Sequence, residues 1–394
     1  VFHRLLDSSE AMFAGNRSTV AYSAFGNGVL DIDALTTAFD ALLASYPVLN
    51  AEIVPHERGY ALRQAHRAPA LRVGTVTGLP ATGFTVVDAD AVCAVDVAQH
   101  DNDFRLSLLT HHSIADAAAS LRYLETLCAL YTRVVETGRP GTIVAHPLAM
   151  SLEQFLTDRG FAIPEPEKSD PPEVPREAAA AVTVRHGRTR LGHDDTARLF
   201  AAAHAAGLTV HGIVCAAIVI AAHDLSGSNG SEEYGVVSSV DLRARVGPPL
   251  AAEAGTVIQG SDTTTVEIGV QDDPARIGHA VLDSLAEGLT RRTTHHALLS
   301  PRDIWREPIS NPLMVTNWGR IPALRLPDEL RVDDFRASAG GLRTGRATTA
   351  PPSFFITTCD GRLSLDHPVW VAGESDPTVA WTAALGRAFD RILR

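Results

Sequence analysis

The stretch FRLSLLTHHSIADAAASLRYLETLCALYTRVV, residues 104–135, decides the fold. Phe104, Leu106 and Leu108 alternate with other residues, so they occupy one face of a strand. Leu121, Leu124, Cys128, Tyr131 and Val135 recur at helical spacing, which predicts a helix from about 117 to 135. Gly138-Arg139-Pro140 stops it. Between strand and helix lie His111-His112-Ser113-Ile114-Ala115-Asp116. Imidazole titrates near neutrality, so a histidine here can take a proton from a hydroxyl, amine or thiol. A strand–helix junction places it at a layer edge, where a channel can reach it. Asp116 can receive an imidazole proton, hold an arginine, or cap the helix start. Taken alone, the motif also fits a polar loop without chemistry.

Other chemistries fit less well. No GxSxG elbow exists, and Ser113 adjoins the histidines without having to face them. The pattern is not HExxH, and Asp116 is the only nearby carboxylate at useful spacing, so no metal is expected. His295-His296 reads as a polar loop after Gly288.

Outward from the motif, helices and strands alternate, as in an α/β layer fold. Asp31 and Asp33 open an amphipathic helix carrying Leu35, Phe39, Leu42 and Leu43. Tyr46-Pro47 ends it, and Val48 to Val54 reads as the entry to a strand. Phe84 to Val97 suggests another strand. The segment Pro164 to Pro175 holds five prolines and almost no large apolar side chains. It is the linker candidate. The expected division is 1–163, a linker at 164–180, and 181–394. In the second half, Val182–Leu191, Tyr234–Val240, Pro312–Thr316 and Phe354–Thr358 read as strands. Asp360-Gly361 turns into Leu363–Leu365. Helices are expected at Asp194–Ala206, from Thr209 to about His223, at Arg276–Leu289 and from about Thr378 to Leu393.

The net charge of -12 disfavours a dedicated nucleic-acid binder. Arg291 and Arg292, or Arg336, Arg343 and Arg346, still form local basic patches suited to a phosphorylated carrier. Cys93, Cys128, Cys215 and Cys359 are far apart, form no CxxC pair, and read as free thiols of a cytoplasmic protein. No apolar run is long enough to span a bilayer. The chain starts at Val1 rather than Met, so a few residues are expected to precede it.

His111-His112-Ser113-Ile114-Ala115-Asp116-Ala117 resembles the HHxxxDG motif of the chloramphenicol-acetyltransferase-like superfamily. That group includes plant BAHD acyltransferases, nonribosomal-peptide condensation domains and mycobacterial polyketide-associated acyltransferases, and the last branch looks nearest. Leu30–Leu49 is similar to that branch near its amino terminus. Ser239-Val240-Asp241-Leu242-Arg243-Ala244-Arg245, followed by Pro248-Pro249, resembles the superfamily's VDxRxR segment. The likeness spans nearly the whole chain in motif order.

The resemblance implies an α/β, two-domain chloramphenicol-acetyltransferase-like fold with an interdomain tunnel. Acceptor and thioester would enter from opposite faces and meet at His112, the general base. Asp116 would be structural and paired with an arginine, which the second motif matches to Arg243. The donor would be acyl-coenzyme A or an acyl-phosphopantetheine, with no permanently bound cofactor. Partners would be an acyl carrier protein or polyketide synthase, and a hydroxyl or amine acceptor. Ala117 departs from the usual glycine, and the plant-type DFGWG motif is absent. Asn317-Trp318-Gly319 is its nearest look-alike, with Asn317 a candidate oxyanion or tunnel residue. The alternatives are a condensation-like amide-forming enzyme, a hydrolase, and a silent interaction protein of the same fold.

Overall fold

The computed structural model describes residues 2–15, 17–75, 91–163, 183–269, 272–299, 308–340, 351–371 and 376–394. The first sheet has the order β12-β2-β7-β6-β5. Its strands are β2 (Thr19–Asn27), β5 (Ala70–Thr75), β6 (Cys93–His100), β7 (Asp103–His111) and β12 (Arg331–Gly340). The second has the order β10-β9-β11-β13-β14-β8. It is built from β8 (Thr183–Arg190), β9 (Glu232–Asp241), β10 (Gln259–Ile268), β11 (Pro312–Arg320), β13 (Ser353–Cys359) and β14 (Arg362–Val371). A small third sheet joins β1 (His3–Leu5), β4 (Gly59–Gln64) and β3 (Ala51–His56) in that order.

β7 is central in its sheet, and its residues from Phe104 to His111 are buried on both faces. Phe104, Leu106 and Leu108 enter the first core, and Ser107 on the other face meets Ser23 of β2 through a 2.7 Å hydroxyl pair. Helices α2 (Ile32–Ser45) and α3 (Ala117–Thr137) cover this sheet. Each starts on an aspartate. Asp31 accepts from Ala34 N at 2.9 Å and Asp116 from Ala119 N at 3.1 Å, satisfying N–H groups that lack partners in a first turn. Gly138 ends α3 at φ 76°, the left-handed conformation glycine adopts without penalty. Val135, expected on the apolar stripe of α3, is 41% exposed, because the buried face runs from Leu127 and Tyr131 to Val134 and leaves Val135 to one side. After α2, Pro47–Asn50 forms a 3-10 turn, so the next strand begins at Ala51 rather than Val48.

The second core surrounds α6 (Val210–Ser226), which is buried from Gly212 to His223. Its alanines let α7 (Pro274–Arg291) and α9 (Pro377–Ile392) lie close, with α5 (His193–Ala205) beside them. A third cluster joins α4 (Leu152–Thr157) to the end of β9, to Val257 and Ile258, and to Leu298 beyond the short helix α8 (Thr293–His296). Cys93, Cys128 and Cys215 are buried free thiols, and Cys359 is half-buried. Among the described residues no single helix is long and apolar enough to cross a membrane. The expected linker 164–180, the segment 84–90, Arg343 and Arg346 lie outside the described residues.

One strand crosses between the halves. β12 follows β11 in sequence but pairs antiparallel with β2 at the edge of the first sheet. Arginines of the second sheet hold it there. Arg188 Nη2 donates to Asp334 Oδ1 at 2.8 Å and to the Phe335 carbonyl at 3.0 Å, and Nη1 lies 3.3 Å from Asp366. Arg190 and Arg362 both donate to the Asp333 carbonyl. Arg188→Met leaves carboxylates without their main counter-charge, and removing one partner of a buried pair costs about 3 kcal/mol or more. Urea unfolding of R188M should show that loss, and an unchanged midpoint would show that the crossover is held by its backbone ladder alone.

Candidate active site

His111 is the last residue of β7, and its N–H donates to the Val92 carbonyl at 2.7 Å. Its imidazole turns inward, where Nδ1 accepts from Ser113 N at 3.1 Å. Burial, then the neighbouring His112 and Arg17, lower its pKa to about 3. It is therefore a neutral acceptor that shapes the turn. Ser113 spends its hydroxyl on the Glu10 carbonyl at 2.7 Å, so it is not held toward either histidine as a nucleophile.

His112 sits deep in the molecule yet keeps some accessible surface, as a residue on the floor of a crevice does. Its N–H donates to the Ser18 carbonyl at 2.6 Å. Its ring stacks on Phe13 of α1 (Ser8–Ala14), with centroids 4.0 Å apart and planes 8° apart. Nδ1 is enclosed without a hydrogen-bond partner, which leaves Nε2 as the nitrogen open to an incoming group. Burial lowers the pKa of His112, against the pull of its own carbonyl, of Asp116 and of the Ala115 carbonyl. The ring is thus neutral at pH 7 and able to accept a proton.

Asp116 is fully engaged elsewhere. Its Oδ2 accepts from Arg243 Nη1 at 2.6 Å and from Ile258 N at 2.9 Å, while Oδ1 caps α3. Arg243 in turn reaches Asp241 at 3.2 Å and the carbonyls of Ala252 and Gly255, each at 3.1 Å. Burial opposes its charge, but Asp116 and Asp241 outweigh that and raise its pKa. Ala117 is the first residue of α3 and is not at positive φ, so its backbone needs no glycine. Its carbonyl accepts from the Tyr22 hydroxyl at 2.7 Å.

A cavity of about 270 Å³ opens beside this loop, between α3 and Tyr22 on one side and β9 and β11 on the other. Tyr22, Leu121 and Trp318 supply apolar wall; Ser239, Thr316 and Asn317 supply polar groups. Asp116 and Arg243 line it, and His112 does not. Asn317 Oδ1 accepts from Gly319 N at 2.9 Å, which leaves its amide N–H groups uncommitted in a residue that lines the cavity. Phe13, Glu10, Thr256 and Thr316 carried no site signal in the sequence, since only the fold brings them to the motif, and Ser239 was read only as the start of the second motif. His295 and His296 are corrected from a polar loop to the short helix α8, where His295 is buried and both rings approach Phe161.

The family model described as "Phthiocerol/phthiodiolone dimycocerosyl transferase C-terminus" matches residues 180–368. A phthiocerol/phthiodiolone dimycocerosyl transferase of Mycobacterium ulcerans is 29% identical over 393 residues, covering 92% of this chain and 91% of its own. Polyketide synthase associated protein 5 from Mycobacterium tuberculosis superposes with a TM-score of 0.80 at 22% identity, covering 98% of each chain. The first condensation domain of the CDA synthetase gives a TM-score of 0.65 at 17% identity, over 100% of this chain and 96% of that one. The solved structures show the fold, a two-domain α/β architecture shared over nearly the whole chain, and the sequence matches agree with the resemblance to the chloramphenicol-acetyltransferase-like superfamily. The chain is similar along nearly its whole length to the dimycocerosyl transferases.

Two outcomes are expected. Asp116→Asn strands the Arg243 guanidinium, so D116N should lose about 3–5 kcal/mol of stability and its activity together. Activity lost at unchanged unfolding midpoint would instead make Asp116 a proton relay. His111 binds no proton in the fold until about pH 3, whereas an unfolded imidazole binds one near 6.5. The unfolded state holds the extra proton between those values, so stability falls as pH drops through that window, by at most about 1.4 kcal/mol per pH unit. His111→Asn keeps the acceptor for Ser113 N and removes the titration. H111N should lose less stability than the parent between pH 7 and pH 5 in urea titrations. Parallel curves would show that His111 is charged in the fold.

Proposed function

We propose that the protein is an acyltransferase that moves an acyl group from a thioester to a hydroxyl or amine acceptor, with His112 as general base. The observation that carries this reading is a neutral imidazole, partly accessible and deep in the fold, on a loop that Asp116 and Arg243 hold rigid. His112 Nε2 takes the acceptor's proton as its oxygen or nitrogen attacks the thioester carbonyl. The tetrahedral oxyanion collapses, the C–S bond breaks, and the proton passes from Nε2 to the departing thiolate. The charge on the oxyanion requires a donor, commonly a large part of catalysis. Asn317 Nδ2 and the hydroxyls of Ser239 and Thr316 are the groups available in the cavity wall.

Coenzyme A and carrier-bound phosphopantetheine present the same thioester. The whole-length similarity to phthiocerol/phthiodiolone dimycocerosyl transferases, and the likeness to a polyketide synthase associated protein, favour an acyl carrier protein or polyketide synthase as donor partner. They also favour lipid or polyketide biosynthesis as the setting. The buried free thiols suit the reducing cytoplasm.

The test is a panel of acyl-coenzyme A and acyl-carrier donors against alcohols and amines, read by intact product mass. Thiol release that depends on acceptor means transfer; release without acceptor means hydrolysis; none from any donor supports a silent protein. Since general-base assistance contributes about 10²–10⁴-fold, H112A should lose that much rate at an unchanged unfolding midpoint. Because burial depresses the His112 pKa, the base form persists to lower pH, so the acid limb of kcat/KM should fall below 6.5. A folded H112A that keeps the parent rate would eliminate the histidine mechanism.

A further inference from the structure

We propose that Phe13 is a positioning residue for His112, fixing the plane of its imidazole and covering one face with a π surface on which the ring becomes imidazolium during transfer. This rests on the reading of His112 as the base.

A catalytic imidazole is commonly oriented by a hydrogen bond at the nitrogen that does no chemistry. His112 has no side chain in that role: only its own carbonyl and that of Ala115 draw on the ring, and Nδ1 is enclosed without a well-formed hydrogen bond. The carboxylate four residues on is taken up by Arg243, Ile258 N and Ala119 N. No side-chain hydrogen bond fixes the ring, so packing is the main limit on its rotation, and Phe13 lies parallel to it within 8° at 4.0 Å. That overlap blocks a turn of the imidazole about its second side-chain torsion.

Phe13 can hold another ring only if it is itself held. Its helix, α1, has seven residues, too few to persist alone. The surroundings clamp it. Glu10, one turn before Phe13, receives both Arg4 guanidinium nitrogens at 2.6 Å, Asp7 N at 3.1 Å and the Thr256 hydroxyl at 2.7 Å. Its carbonyl takes the Ser113 hydroxyl, so the helix and the histidine loop are tied directly. Glu153 of α4 accepts from both Ser9 N and Ser9 Oγ, and Ser151 Oγ donates to Asp7 at 2.5 Å. Phe13 then packs on the third cluster, against α4 and the end of β9. Phe13 is thereby fixed relative to the loop from both sides.

The stack also serves the chemistry. When His112 takes the acceptor's proton, it becomes a cation in a desolvated site. An aromatic face attracts a cation and, unlike water, needs no reorganisation. The other titratable groups around the ring are His111 on β7, Asp116 at the start of α3, and Glu10 of α1, which is already paired with Arg4. Asp116 favours the imidazolium from a distance, and Phe13 does so in contact.

The variants F13L, F13Y and F13W separate aromatic stacking from bulk. Leucine is apolar without a π face; tyrosine and tryptophan retain one. In F13L, kcat should fall roughly tenfold to a hundredfold, the range that a slight misplacement of a catalytic group produces. Donor and acceptor KM should change little, and the acid limb should move to lower pH as the imidazolium loses support. F13Y and F13W should recover most of kcat. Carbethoxylation of His112, followed by peptide mass spectrometry, reports the ring independently of turnover and should be faster in F13L at an unchanged unfolding midpoint. Parent-like kcat in F13L, or equal losses in F13L, F13Y and F13W, would overturn the proposal. If H112A itself proves active, the base assignment falls, and the carbethoxylation rate alone decides. An unchanged rate in F13L then means that Phe13 does not hold the ring.

Discussion

The buried ion pair between Asp116 and Arg243 joins the two halves of the protein at the place where both must be exact. One carboxylate caps α3, neutralises a guanidinium from just beyond β9, and accepts the backbone N–H of Ile258 just before β10. Burying two charges is unfavourable unless they are paired and their remaining hydrogen-bonding capacity is met. Here most of it is, through two carbonyls and Asp241, although Arg243 Nε stays unpartnered. The pair therefore does less for net stability than for geometry. Any displacement of one half against the other breaks several bonds to charged groups at once.

The geometry it protects is that of a loop, the part of a fold with fewest constraints of its own. His111 supplies a second constraint, with its neutral Nδ1 turned back on Ser113 N. α1 supplies a third, through Ser113 and Glu10. Each attaches to the backbone or to a residue beside His112, and none to the polar edge of the His112 ring. No side chain that shapes the loop thus holds the imidazole by a hydrogen bond, and only its own carbonyl and that of Ala115 act on it in that way.

Much of this was legible locally. Strand β7, helix α3 and the cap at Asp116 follow from alternation, helical periodicity and the preference of carboxylates for helix starts. α6 was legible because twelve successive residues from Gly212 to His223 are buried, which only a core helix of small and aliphatic residues permits. The Asp116–Arg243 contact came from resemblance, because a pairing across 127 positions has no periodicity to reveal it. β12 was not read as a strand. Its segment is rich in charge, VDDFR, and those charges are tolerated because Arg188 and Arg190 of the second sheet meet them. α1 was missed for a related reason. A seven-residue helix lacks a stripe to detect, and its stability resides in Arg4, Glu153 and Thr256, which only the folded chain assembles.

The placement of charge explains why an aspartate so close to a histidine is not its partner. Were Asp116 bonded to the ring, the imidazolium would be stabilised before reaction, and the base would be protonated over more of the neutral range. With the carboxylate already neutralised by Arg243, burial dominates and keeps the ring unprotonated. A base of lowered pKa is weaker, so its conjugate acid needs support that grows as charge develops. A stacked aromatic face and a distant carboxylate give that kind of support, small for the neutral ring and larger for the cation. The same weak base gives up its proton readily, and the departing thiolate requires one in the second half of the transfer.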